Sequence, residues 1–233
     1  ACLVGSEMCI RDSLTSMRTN VELLLADQKT GMLPEQARGE ILTDIAAQLG
    51  EFSSLIGDLV QLSREDAPPP RPEIMDLADV VARAVQRAKR RGPTMVFDVQ
   101  TESQLVLGDS QAIERSVTNL LDNAVKFSPS GGRITVRMAD ETITVADEGP
   151  GISDEALPHI FDRFYRSDQS RNTPGTGLGL SIVAHTVNSH GGWIKASRAP
   201  GGGALFTMHL PTVDPDDVAG NESAGSESLL TSE

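Results

Sequence analysis

Leu14, Met17, Val21 and Leu24 recur at spacings of three and four, which places them on one stripe of an amphipathic helix. The stripe stops at the turn-forming residues Gly31 and Pro34. Beyond the turn, Leu42, Ile45, Leu49, Phe52, Ile56 and Leu59 alternate three and four apart as the seam of a second helix, and Leu55 and Leu62 widen its apolar face. So short a link predicts an antiparallel hairpin. A hairpin alone cannot enclose a face that wide, so it packs either on the rest of its own chain or on a second copy, as a four-helix bundle. The APPPRP run at 67–72 favours the second copy, because a proline-rich stretch is extended and semi-rigid and sets the hairpin apart.

After the linker the period changes. A helix is predicted from Ala78 to Arg90, strands over 95–99 and 105–107, and a long helix over 111–126. RITVRMA and ETITVAD alternate as a strand hairpin. A loop-rich stretch follows, then a helix after Gly177 and two strands near 193–197 and 205–210. Helices interleaved with strands predict an α+β sandwich.

Composition narrows the function classes. The 233 residues, 39% hydrophobic and 23% charged, suit one large or two small globular domains, and with aromatics at 3% the core must be aliphatic. A formal charge of -13 argues against a nucleic-acid surface, which needs clustered Lys and Arg. Much of the acidity lies in the Ser-, Gly- and acid-rich tail 213–233, which is expected to be disordered. Both cysteines, Cys2 and Cys9, precede the first regular stripe, so the rest of the chain has no thiolate site. No apolar run approaches the roughly 20 residues that span a bilayer.

Three motifs carry candidate chemistry. In ERSVTNLLDNAVKFSP, Asn119, Asn123 and Lys126 fall at i, i+4 and i+7 on one edge of a helix whose other sides are apolar. An amide oxygen can hold a hard cation without adding charge, and a nearby ammonium can meet phosphate oxygens, although a solvated face would read the same way. In ITVADEGPGI a strand ends at Asp147 and opens into a turn where Gly149 and Gly151 let the backbone approach a flat ligand. A carboxylate there can accept from an exocyclic amine, though DxGxG is also an ordinary turn. In PGTGLGLSIV, Gly175, Gly177 and Gly179 lead into an apolar helix whose N-terminal amides form an anion site. The spacing fits neither a Rossmann fingerprint nor a Walker A loop. Between the second and third motifs, FDRFYRSDQSRNTP has the composition of a mobile lid.

In order and spacing these motifs resemble the N, G1, F and G2 boxes of bacterial sensor histidine kinases, over about 14–211. LTSMRTNVELLL, VTNLLDNAVKFSP and HGGWIKASRAPGGGALFTMHLP are most similar to the actinobacterial MprB type of that family. The resemblance implies a helical-hairpin dimerisation domain over 14–66, a linker over 67–77, and a Bergerat-type ATP-binding α/β sandwich over 78–212. It implies ATP and Mg²⁺ as ligands, with Asn123 on the metal and Asn119 and Lys126 near the phosphates. Asp147 would take the adenine amine beside Gly149 and Gly151, Arg166 the terminal phosphate, and Gly175, Gly177 and Gly179 the phosphate chain. His185 and His190 match nothing catalytic and are expected to be structural, and Trp193 to be packing.

The partners implied are a second copy of the chain and a response regulator that receives the phosphoryl group on an Asp. The family is anchored in the membrane through upstream segments, so the chain reads as a cytoplasmic piece. The resemblance also puts the phospho-accepting His at Met8 and its neighbouring Glu at Cys9, and neither residue can replace an imidazole paired with a carboxylate base. LVGSEMCIRDS resembles translated sequencing-adapter sequence, so residues 1–13 are expected to be foreign, with a genuine degenerate kinase as the alternative. As written, the chain should bind ATP without phosphorylating itself. The alternatives are a non-catalytic ATP-binding fragment, an ATP hydrolase of the same nucleotide fold, which would place a Glu where Asn119 stands, and a serine kinase of the anti-sigma type, which lacks the hairpin.

Overall fold

The computed structural model describes residues 2–63, 72–167 and 175–214, without the side chains of 2–14, 29, 47 and 51–63. The chain divides into two units, one made of Ala1–Ala67 with Asp162–Leu178 and the other of Pro68–Phe161 with Gly179–Glu233.

The first unit contains the hairpin, α1 (Cys2–Thr30) and α2 (Glu35–Ser63). Helix α1 runs through residues 2–13 without a break, although the amphipathic stripe begins only at Leu14. The turn is built by polar groups. Gly31 takes a φ of 62° and donates its N–H to the Asp27 carbonyl at 2.7 Å, which closes α1 with a left-handed residue. The Asp27 carboxylate, 4% exposed, accepts from the Leu33 amide at 2.6 Å and pairs with Arg38. Val21, Leu25, Leu42 and Leu49 remain exposed along the two helices.

The second unit is a two-layer sandwich. Its five-stranded sheet has the order β2-β4-β5-β7-β6, from Val96–Thr101, Arg133–Ala139, Thr142–Ala146, Ala204–His209 and Trp193–Arg198. Only β2 and β4 pair in parallel. Alternation along β4, β5 and β7 points Ile134, Val136, Met138, Ile143, Val145, Phe206 and Met208 at three helices. These are α3 (Leu77–Arg91), α4 (Ser110–Phe127) and α5 (Gly179–Ser189). The β4–β5 turn puts both Asp140 and Glu141 at positive φ, as a two-residue hairpin matched to strand twist requires.

One strand was not expected. β1 (Glu73–Asp76) pairs antiparallel with β3 (Leu105–Gly108), so the linker read as 67–77 gives up its last five residues to the domain, four to the strand and Leu77 to α3. Four residues are too few for an alternation signal, and the strand exists because β3 offers it an edge. Asp76 then caps α3 by accepting from Ala78. At the other end, Thr212 bridges to Val106 and the Val213 amide donates to Leu105, so the ordered domain runs past 212. The proline-rich run 67–71, the tail from 215 and lid residues 168–174 lie outside the described residues.

Helices α3 and α4 run side by side in the same direction, with Arg83 and Arg87 paired to Glu114 at 2.7 and 3.1 Å and Arg91 to Asp122 further along. Helix α5 runs antiparallel to α4, as the contacts of Asn119 and Asp109 described below require.

Candidate nucleotide-binding site

Helix α4 begins because Asp109 caps it, its carboxylate accepting from the amides of Gln111 and Ala112. Ile113, Val117, Leu120, Leu121 and Ala124 face the core, which leaves Asn119, Asn123 and Lys126 half-buried along another edge. The Asn119 carboxamide donates to the carbonyl of Gly179, the first residue of α5, at 3.2 Å. Asn123 carries the next carboxamide one turn on, and Lys126 places its ammonium 4.8 Å from the centre of the Phe127 ring. Asp122, beside Asn123, points instead towards Arg91, and burial raises its carboxyl above the ordinary range against the pull of that arginine.

Strand β5 delivers Asp147 at its end, 6% exposed. Its Oδ1 accepts from two backbone amides, Gly149 at 2.8 Å and Ala204 at 3.0 Å. Both donors take the same oxygen, which leaves Oδ2 without a hydrogen-bond partner among the described residues. Burial raises the Asp147 carboxyl above the usual carboxylate range, and the two amides pull it part of the way back.

The turn after Asp147 has no room for side chains. A Cβ on Gly149 would sit 2.7 Å from the Phe127 carbonyl, and one on Gly151, at φ 77°, would sit 2.7 Å from the Gly202 carbonyl. The turn is therefore pressed against the end of α4 on one side and the 201–203 loop on the other. Gly203 belongs to the same construction, because a Cβ there would overlap the Asp147 backbone. Sequence reasoning passed over Gly203, although the APGGGA run before β7 was its signal.

Among the expected site residues, the second unit brings together Asn119 with Gly179, and Asp147, Gly149 and Gly151 with the end of the Asn123–Lys126 helix. Arg166, Gly175 and Gly177 belong to the segment Asp162–Leu178 of the first unit. There the backbone closes on itself: Phe164, at φ 64°, donates its amide to the Gly177 carbonyl at 3.0 Å, and Gly177, at φ 72°, has no space for a Cβ against Phe164. Arg166 is half-buried.

The donor set fits an adenine nucleotide and a hard cation. Oδ2 of Asp147 is an uncommitted acceptor in a glycine-walled turn, which suits an exocyclic amine. No group of three or more His, Cys, Asp or Glu able to hold a metal occurs among the described residues. A cation here would rest on an amide oxygen such as that of Asn123 and on phosphate oxygens, the way Mg²⁺ is commonly held with its substrate. Neither of the two positions that could supply a hydrolytic base does so. Asn119 stands where the related hydrolases carry Glu, and Glu114 is committed to Arg83 and Arg87.

The histidines and the tryptophan fall outside this set. Trp193 stacks on His209 with ring centres 5.4 Å apart, and the Lys195 ammonium lies over the Trp193 ring, 4.5 Å from its centroid. His190 hydrogen-bonds the backbone at the start of α4.

Comparison with known proteins gives the family. Residues 108–214 match the family described as histidine kinase-, DNA gyrase B-, and HSP90-like ATPase. The chain is 46% identical over 226 residues to the signal transduction histidine-protein kinase/phosphatase MprB of Mycolicibacterium smegmatis, covering 92% of this chain and 46% of that protein. The Mycobacterium avium protein of the same name is 43% identical over 230 residues, with 94% and 44% covered. The chain thus spans about half the length of these relatives. Among solved structures, a mycobacterial sensor histidine kinase MprB aligns with a TM-score of 0.57 at 38% identity, covering 60% of this chain and 98% of that one. The Acinetobacter baumannii histidine kinase AdeS, at 23% identity, shares the fold with a TM-score of 0.65 and covers 88% and 97%.

Proposed function

The chain belongs to the sensor histidine kinases, and from that premise we infer that it is the kinase core of a two-component system, moving the γ-phosphate of ATP to a histidine and on to an Asp of a response regulator. The observation that carries the reading is Asp147, whose Oδ1 is held by two backbone amides while Oδ2 is left for a ligand. In that role Oδ2 accepts from the adenine amine, and Gly149 and Gly151 let the base lie against the turn. Asn119, Lys126 and the glycines Gly175, Gly177 and Gly179 take the phosphate chain, and Arg166 takes its end.

Asn123 would hold Mg²⁺, which when bound neutralises charge on the phosphates. The family binds ATP. That its metal here is Mg²⁺ rests on the donor set described above.

The exposed leucines of α1 and α2 support a homodimer through the hairpin, since a face that wide is covered by a second copy in a four-helix bundle. In the full-length protein the core would lie on the cytoplasmic side of a membrane anchor supplied by other segments. Among the described residues no helix is long and apolar enough to cross a membrane. With Met8 and Cys9 in place of the acceptor His and its Glu, this chain binds ATP without labelling itself, and residues 1–13 are foreign to it.

Titration with a fluorescent ATP analogue tests the site. Binding should depend on added Mg²⁺, and Asn123→Ala should remove that dependence along with most of the affinity. An Asn123→Ala chain that binds as the wild type does, with the same response to Mg²⁺, overturns the metal assignment.

A further inference from the structure

We propose that His190 is a positioning residue for the nucleotide site: in its neutral form it bolts the end of α5 to the start of α4, and so fixes the register that holds Gly179 at Asn119. The inference rests on the ATP-site reading above.

The two helices are tied at two places. Asn119 donates to the Gly179 carbonyl at the start of α5, and the Asp109 amide at the start of α4 donates to Nε2 of His190 at 3.0 Å. On each helix the ties lie about ten residues apart, roughly 15 Å. Both helices also contribute aliphatic side chains to the same buried core, Ile113, Val117 and Leu120 from α4 and Val183 and Val187 from α5. Apolar contact is non-directional and tolerates a slide along the axis, whereas a hydrogen bond with fixed partners does not. The site needs that register, because the glycine-rich phosphate loop enters α5 at Gly179.

The ring is fixed in one tautomer. Nδ1 lies 2.6 Å from the Thr186 carbonyl, which can only accept, so Nδ1 carries the hydrogen and Nε2 presents its lone pair to Asp109. Ser189 donates to the same carbonyl at 2.8 Å. The seat is built for the ring, since a Cβ on Gly108 would overlap it, with Nε2 only 2.6 Å away.

The Asp109 amide would otherwise have no local partner. In a capping box a Glu or Gln three residues into the helix reaches back to the amide of the capping residue. Here that position is Ala112, which cannot, and His190 supplies the acceptor from the turn that ends α5, 81 residues away.

Four versions of the full chain test this with a fluorescent ATP analogue: wild type, His190→Leu, His190→Asn and His190→Gln. The Leu variant lacks the acceptor, and the Asn variant keeps a donor for Thr186 but is too short to reach Asp109. Both should weaken binding by about threefold to tenfold while melting cooperatively by circular dichroism. The Gln variant, whose amide oxygen can replace Nε2, should recover most of the affinity. In an Asn119→Ala background the cost of the His190→Leu change should differ from its cost in the wild type, because both ties act on one register. Ring ¹⁵N shifts of wild-type His190 should report a neutral imidazole protonated at Nδ1.

Full affinity in a folded Leu or Asn variant, losses that multiply independently with Asn119→Ala, or a ring protonated at Nε2 would each overturn the proposal. The ring shifts read the wild type alone, so they decide even if a variant does not fold. A wild-type chain that fails to bind the analogue removes the ATP reading instead, with the ring tautomer still as stated.

Discussion

Asp147 joins two roles on one carboxylate, and the division between its oxygens makes the residue testable. Because both backbone donors engage Oδ1, an Asn can keep them on its own carbonyl oxygen and replace only Oδ2, turning an acceptor for the adenine amine into a donor facing it. A hydrogen bond to a charged group contributes on the order of 1.5 to 3 kcal/mol, so Asp147→Asn should cost roughly tenfold or more in nucleotide affinity. Its effect on stability has the opposite sign. The native state holds the Asp147 proton more tightly than the unfolded chain does, so the residue's contribution is present below the ordinary carboxylate range and is lost as pH rises through the raised value. At neutral pH the ionised group therefore works against folding, and the nucleotide-free Asn variant should melt no lower than wild type. Calorimetric melts beside the titration check both halves. A variant that loses affinity together with several degrees of melting temperature would mean that the fold was damaged and the ligand contact not isolated.

At the scale of elements, α4 shows how one helix serves a core and a site together. Ile113, Val117, Leu120, Leu121 and Ala124 are buried in the core, the row towards α3 carries Glu114 and Asp122 to three arginines, and the carboxamides lie along another edge. On the hairpin, Leu49 is 55% and Leu42 57% exposed. A second hairpin would bury them, and Leu49→Lys would then place an unpaired charge in an apolar seam, at a cost on the order of several kcal/mol. Light scattering at tens of micromolar should show a wild-type dimer and a Leu49→Lys monomer. A monomeric wild type would count against the bundle.

For the whole molecule the question is whether an intact ATP site stands behind an absent acceptor. Phosphoryl transfer needs a positioned nucleophile as well as an electrostatic cradle. Helix α1 runs through Met8 and Cys9, so a histidine placed at residue 8 would stand on a helix already formed. Incubated with γ-labelled ATP, the chain as written should stay unlabelled. Replacing residues 8–13 by HELRTP should give acid-labile, base-stable label, the behaviour of phosphohistidine, and Asn123→Ala in that repaired chain should abolish it. Label on the unrepaired chain would point to another acceptor.

The order of elements and the residue types of the site were legible in the amino-acid pattern alone. A helix period, a strand alternation and a glycine turn are set by neighbours a few positions apart, so the hairpin, the α+β class and the Asn119, Asp147 and Gly177 motifs could be read without coordinates. Where the backbone amides go is set by long-range packing. The Ala204 amide on Asp147 Oδ1 spans 57 residues and the Asp109 amide on His190 spans 81, and no local pattern encodes such pairings. The short strand β1 is of the same kind, since it exists through the edge of β3. A buried amide must find an acceptor wherever packing brings one, which is why His190 read as merely structural in the sequence and why its place beside α4 gives it a task.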